Sequence, residues 1–115
     1  MNLQEIIETL DLTLLTDTRD FKSVIPQGGY TSDLLSCVMA GASRNGIWVT
    51  LQAHMNIVAV AALLDLAAVI ITEDAQPDQN AIAKANNERI ILLSTPKSSF
   101  EIVGLLWQMG LRTDR

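Results

Sequence analysis

Three short apolar runs, Ile47–Leu51 (IWVTL), Ala68–Thr72 (AVIIT) and Ile90–Leu93 (IILL), recur along the chain with helix-length segments between them. This recurrence constrains the fold more than any other feature. Each run is too short for a helix and too continuously apolar for a strand with one wet face. A parallel strand covered on both faces needs just such a composition. The segments between supply the covers. Asn56–Leu64 is apolar all round, as in a helix packed deeply between other elements. Gln79–Glu88 is amphipathic, with Ile82 and Ala85 inward, and Phe100–Met109 is the last helix. Ser98-Ser99-Phe100-Glu101 has the form of a capping box at its start, and Gly110 is placed to stop it. Strand, helix, strand, helix, strand, helix predicts an α/β fold: a small three-layer domain with a mostly parallel sheet flanked by helices.

The first forty residues read as edge elements. Leu3, Ile6, Ile7 and Leu10 fall at helical spacing. Leu12–Leu15 reads as a strand, Thr16–Asp20 as a polar turn, and Phe21–Ile25 as a second short strand ended by Pro26. Gln27–Tyr30 reads as a flexible connection. Thr31, Ser32 and Asp33 are N-cap residue types ahead of a helix carrying Leu34, Leu35, Val38 and Met39, which Gly41 or Asn45-Gly46 ends. No repeat or Pro/Gly/Ser linker divides the sequence, so 1–115 is expected to form a single domain.

Charge and composition exclude several function classes. Eight basic against thirteen acidic residues give a net charge of −5, against the basic footprint of a general nucleic-acid binder. With 49% apolar and 18% charged residues the chain is not a disordered tail. The most apolar stretch, Ile57–Ile71, contains Asp65 and falls short of the roughly 20 residues of a membrane span. Residues 1–10, MNLQEIIETL, carry acids where an export signal carries bases. A cytoplasmic location is therefore expected, and the single cysteine fits a reducing compartment.

In open α/β sheets ligands bind beyond the carboxyl ends of the strands. Three such ends are legible: Thr50 to Asn56, Thr72-Glu73-Asp74, and Ser94 to Ser98. Each leads toward a helix N-terminus, whose free amides suit an anion. The candidate ligand-binding residues are Thr50, Gln52, His54, Asn56, Thr72, Glu73, Ser94 and Thr95. The same residue types also cap helices, so the residues alone leave a pocket and plain capping both open. His54, the only histidine, serves either as a site residue or as a hydrogen-bonding element of its loop. An enzyme would pair it with Asp33, Glu73 or Asp74.

Other chemistries find little support. One cysteine and one histidine do not close a zinc site, so no metal or cofactor is expected. Cys37 lies among Leu34, Leu35 and Val38 and reads as a buried small hydrophobe with no histidine beside it. The patterns G-x-S-x-G, G-x-G-x-x-G and the Walker loop are absent, and Gly28-Gly29 reads as a turn. Trp48 and Trp107 read as core residues. Were one face of the last helix left exposed, Trp107 and Leu111 would be candidates for a dimer contact.

The segments GGYTSDLLSCVMAGA, GIWVTLQAHMNIVAVAALLDLAAVIITED and IILLSTPKSSFEIVGLLWQMGL together resemble the DRTGG domain family over nearly the whole chain. The resemblance is to stand-alone members similar to the N-terminal domain of HPr kinase/phosphorylase. It implies a non-catalytic regulatory role, since family domains are also found fused to CBS pairs and to phosphotransacetylases. Stand-alone members are associated with iron-only hydrogenase gene clusters, which implies a redox-linked context. The string D-R-T-G-G itself is absent. Leu51-Gln52-Ala53-His54 stands where other members carry a Gly-Asp-Arg type turn. The kinase catalytic domain and its P-loop are missing, so kinase activity is not expected, and one cysteine does not hold an iron–sulfur cluster. The expected function is a ligand-sensing module for a small anion, such as a nucleotide. The alternative is a structural or assembly partner protein acting as a homo-oligomer.

Overall fold

The structure is a computed structural model and describes residues 1–113. Five helices and five strands form in the order α1 (Leu3–Leu10), β1 (Thr13–Leu14), β2 (Gly29–Thr31), α2 (Leu35–Gly41), β3 (Ile47–Thr50), α3 (Asn56–Leu64), β4 (Ala68–Ile71), α4 (Gln79–Asn87), β5 (Leu92–Ser94) and α5 (Ser99–Met109), with one 3₁₀ turn at Phe21–Ser23. The sheet order is β1-β5-β4-β3-β2. β2 to β5 are parallel and lie side by side in chain order, while β1 closes the far edge antiparallel to β5. The predicted three-layer α/β domain is what forms.

Side-chain alternation along each strand builds two cores. Ile47, Val49, Ala68, Ile70 and Leu93 face one side, packed by Leu3, Ile6 and Leu10 of α1 and Ile102 and Leu106 of α5. Trp48, Val69, Ile71 and Leu92 face the other, packed by Val38 of α2, Ile57, Val58 and Ala61 of α3, and Ala85 of α4. The connections β2–β3, β3–β4 and β4–β5 thus all cross on one face. Among the connections that leave the carboxyl ends of the parallel strands, the one after β5 turns to the opposite side, where α5 packs beside α1 and Phe21.

Several sequence expectations need correction. Phe21–Ile25 is not a strand: Phe21 plugs the α1 side of the core from a 3₁₀ turn. Gln27–Tyr30 is not a loose connection, because Gly29–Thr31 is the edge strand β2, and Gly29 N–H also donates to Arg112 O at 3.0 Å. Thr31, Ser32 and Asp33 do not cap α2, whose N-cap Leu34 makes no side-chain cap bond. On α4 the buried side chains are Ala81 and Ala85, with Ile82 only half-buried. Cys37 is exposed, since α2 is short and buries only Val38 fully. Trp48 is fully buried, donating from Nε1 to Ser32 O at 2.9 Å, but Trp107 is 53% exposed. The Ser98 hydroxyl caps α5 as expected, accepting from Glu101 N–H at 3.1 Å, and Gly110 ends the helix at φ 109°.

Candidate functional site

The parallel strands deliver their carboxyl ends to one rim, and backbone bonds stitch that rim together. Thr72 N–H donates to Thr50 O at 2.9 Å, and Thr95 N–H to Ile71 O at 3.0 Å. Thr50, Thr72 and Thr95 are all buried. A buried hydroxyl needs a partner, and the partners define two clusters.

The first cluster is organised by Asp33. Its Oδ1 accepts from the Thr50 hydroxyl at 2.8 Å and from Leu51 N–H at 2.9 Å, while its carbonyl accepts from Gln52 Nε2 at 3.1 Å. Thr50 Oγ1 in turn accepts from Gln52 N–H at 3.1 Å. Asp33 is therefore a staple between the ends of β2 and β3 rather than a helix cap. His54 Nδ1 accepts from Asn56 N–H at 3.0 Å, capping the first turn of α3 and leaving Nε2 as the protonated nitrogen of the neutral ring. Gln52 is half-buried, and His54 and Asn56 are exposed.

The second cluster lies where the chain changes face, between the loop leaving β4 for α4 and the loop leaving β5 for α5. The Thr72 and Ser99 hydroxyls share a 2.6 Å hydrogen bond. Glu73 N–H donates to Lys97 O at 2.9 Å and Asp74 N–H to Thr95 O at 3.1 Å. Glu73 and Asp74 both hold left-handed backbone conformations, φ 61° and 58°, which non-glycine residues adopt sparingly. That geometry places the Glu73 carboxylate on Ser99 N–H at 3.0 Å, at the start of α5. A carboxylate of the chain itself thus sits where a helix N-terminus would receive an anion. Ser94 lies inside β5, opposite Thr13 of β1, and the Thr95 hydroxyl accepts from Lys97 N–H at 3.2 Å.

The structure brings Thr72, Glu73 and Thr95 together with Ser99, and groups Thr50 and Gln52 around Asp33. Sequence reasoning named Asp33 only as a cap or an acid–base partner, and left Ser99 and Lys97 out of the ligand-binding candidates, although Lys97 falls within the strand end Ser94 to Ser98. Among the described residues no group of three or more His, Cys, Asp or Glu side chains is placed to hold a metal ion, and no helix is long and apolar enough to cross a membrane.

A cleft of about 270 Å³ lies elsewhere, between α5 and the edge strand β2. Its walls include Tyr30, Val49, Val103, Leu106, Trp107 and Leu111. Arg112 stacks its guanidinium over the Trp107 ring, 4.2 Å from the centroid, and donates to Trp107 O at 2.7 Å. No strand-end candidate lines this cleft. The chemistry of the strand ends and the apolar cavity are separate features of the molecule.

No protein-family model matches the chain, and no curated protein does. Among solved structures, it is similar to a chain described as the CBS and DRTGG domains of the regulatory region of Clostridium perfringens pyrophosphatase, complexed with the activator diadenosine tetraphosphate. The TM-score is 0.76 at 21% sequence identity, over 98% of this chain. The match spans 51% of the solved chain, about half its length. The likeness establishes a shared fold, in agreement with the DRTGG resemblance at that level.

Proposed function

We propose that this chain is a non-catalytic regulatory module that senses a small anionic ligand of the nucleotide class at the carboxyl ends of its parallel strands. The observation that carries this reading is the Glu73 carboxylate on Ser99 N–H, in the crevice of the carboxyl-end rim where the connections leaving β4 and β5 part to opposite faces of the sheet. A ligand phosphate competes for that amide and displaces Glu73. Displacement frees a loop held in two consecutive left-handed conformations and opens the Thr72–Ser99 bond. Occupancy is thereby passed to α4 on one face and α5 on the other. Gln52, His54 Nε2–H and Asn56 offer donors to the remainder of the ligand, with Thr50 and Ser94 as supports in the strands. The fold shared with a regulatory region solved in complex with diadenosine tetraphosphate supports the ligand class. In this proposal residues 1–115 act as one DRTGG-like domain in the cytoplasm, and the redox-linked context implied by the resemblance makes the output a protein contact.

The test is calorimetric titration of AMP, ADP, ATP and diadenosine tetraphosphate into the wild-type protein, Glu73→Ala and His54→Ala. A binding-competent native state is also stabilised thermally by its ligand. Removing the competing carboxylate is expected to tighten binding roughly fivefold, the size of one charge at a helix N-terminus, while His54→Ala weakens it. Absence of binding by all four nucleotides, or an affinity indifferent to Glu73→Ala, refutes the proposal. The assembly-partner alternative is favoured by a different feature, the outer face of α5.

A further inference from the structure

The outer face of α5 carries Phe100, Glu101, Gly104, Trp107 and Gln108, all exposed. Phe100 is 91% exposed, the most solvent-accessible large apolar side chain among the described residues, and Trp107 is 53% exposed. Gly104 lies between them, mid-helix, with nothing within 4 Å of where a Cβ would stand. A mid-helix glycine costs about 1 kcal/mol relative to alanine, and nothing among the described residues needs the space. The stripe borders the cleft formed by Val49, Val103, Leu106 and Leu111.

We infer that this face is a self-complementary interface, and that its occupant is a second copy of the chain, with the two α5 helices crossing antiparallel at Gly104. In an antiparallel pair, residues equally displaced from the crossing in opposite directions face each other. Phe100 of each copy then reaches the Trp107–Gln108 turn of the other, beside the apolar cleft. Glu101, whose carboxylate has no partner among the described residues, faces Trp107 and the Arg112 guanidinium stacked on it. A parallel crossing sets Glu101 against Glu101 instead, so charge selects the antiparallel, two-fold arrangement. The absent Cβ at position 104 lets the helix backbones approach closely at the crossing. The exposed parts of the two rings bring on the order of 300 Å² per copy into the contact, less than the roughly 800 Å² per partner of a standard interface, so a weak dimer at micromolar concentrations is expected. The face is nearly neutral, which suits association between copies that each carry a charge of −5.

The test is sedimentation equilibrium of the full chain across micromolar concentrations, together with oxidation of Gly104→Cys in a Cys37→Ser background. A dimer is expected, weakened about tenfold or more by Phe100→Ser and by Gly104→Leu, with cooperative thermal unfolding retained. On a two-fold crossing the two introduced thiols come within the roughly 4.4–6.8 Å Cα separation that a disulfide requires, so a covalent dimer forms. Leu63→Cys, on the exposed side of α3, is expected to remain monomeric on oxidation. A monomeric wild-type protein overturns the inference, as does a dimer that neither responds to Phe100→Ser nor cross-links at position 104. Nucleotide binding is read separately, so failure here leaves the strand-end proposal standing or falling on its own titration.

Discussion

The strand-end rim and the outer face of α5 lie on the same small domain but differ in how they meet their physical obligations. At the rim almost every polar group is already answered by the chain: Asp33 serves Thr50 and Leu51, Glu73 serves Ser99, and His54 serves Asn56. No buried side-chain nitrogen or oxygen among the described residues lacks a partner. On α5 the obligation is apolar, and Phe100 and Trp107 remain in water. A rim that satisfies itself changes state only by exchanging one partner for another. A face that does not satisfy itself gains by being covered. The first arrangement suits a sensor and the second a contact, and substitutions in the two places should have opposite signatures.

The largest expected effect on stability is at the rim. Asp33→Ala leaves the buried Thr50 hydroxyl and Leu51 N–H without their acceptor and should destabilise the fold by about 1–3 kcal/mol, measured by urea unfolding. A cost near zero would show that solvent replaces the carboxylate and that the rim is not self-sufficient. Gly104→Ala should act in the other direction on the isolated fold, stabilising it by up to about 1 kcal/mol through helix propensity, while weakening self-association in the ultracentrifuge. If both quantities rise together, the glycine does not serve a close approach. His54→Ala should be the mildest, about 0.5 kcal/mol for the loss of an exposed cap, visible as a small drop in thermal midpoint. A much larger loss would mean that the imidazole supports more of the rim than the α3 amide.

The sequence made the centre of this molecule readable and its margins less so. β3, β4 and β5 were legible because burial on both faces leaves an unbroken apolar run, and α5 because Ser98 and Gly110 mark its ends. Gly29–Thr31 was missed because an edge strand of three residues owes its existence to pairing with Ile47–Val49, which has no local signature. Asp33 looked like a cap because aspartate beside serine usually is one. Its true partners, Thr50 and Leu51, lie 17 and 18 residues away. The exposure of Trp107 followed the same logic, since an apolar helix shows where it can be buried and not which face its neighbours leave uncovered. Phe100, Gly104 and Trp107 at helical spacing carry that signal once the buried stripe of Ile102 and Leu106 is known.

The edge pairing of β1 with β5 also sets a timetable. Thr16 Oγ1 accepts from Leu92 N–H across 76 residues of sequence, and Thr13 and Leu14 find their sheet partners only in Ser94 and Leu93. On a ribosome adding about 5–20 residues per second, the opening strand waits several seconds for its partner to be made. Closing so long a loop costs entropy before any contact rewards it, which places this pairing among the slow steps of folding. While it waits, the β3–β4 pair can form from neighbouring segments, so the domain is assembled from its middle outward and its first strand is among the last to be seated.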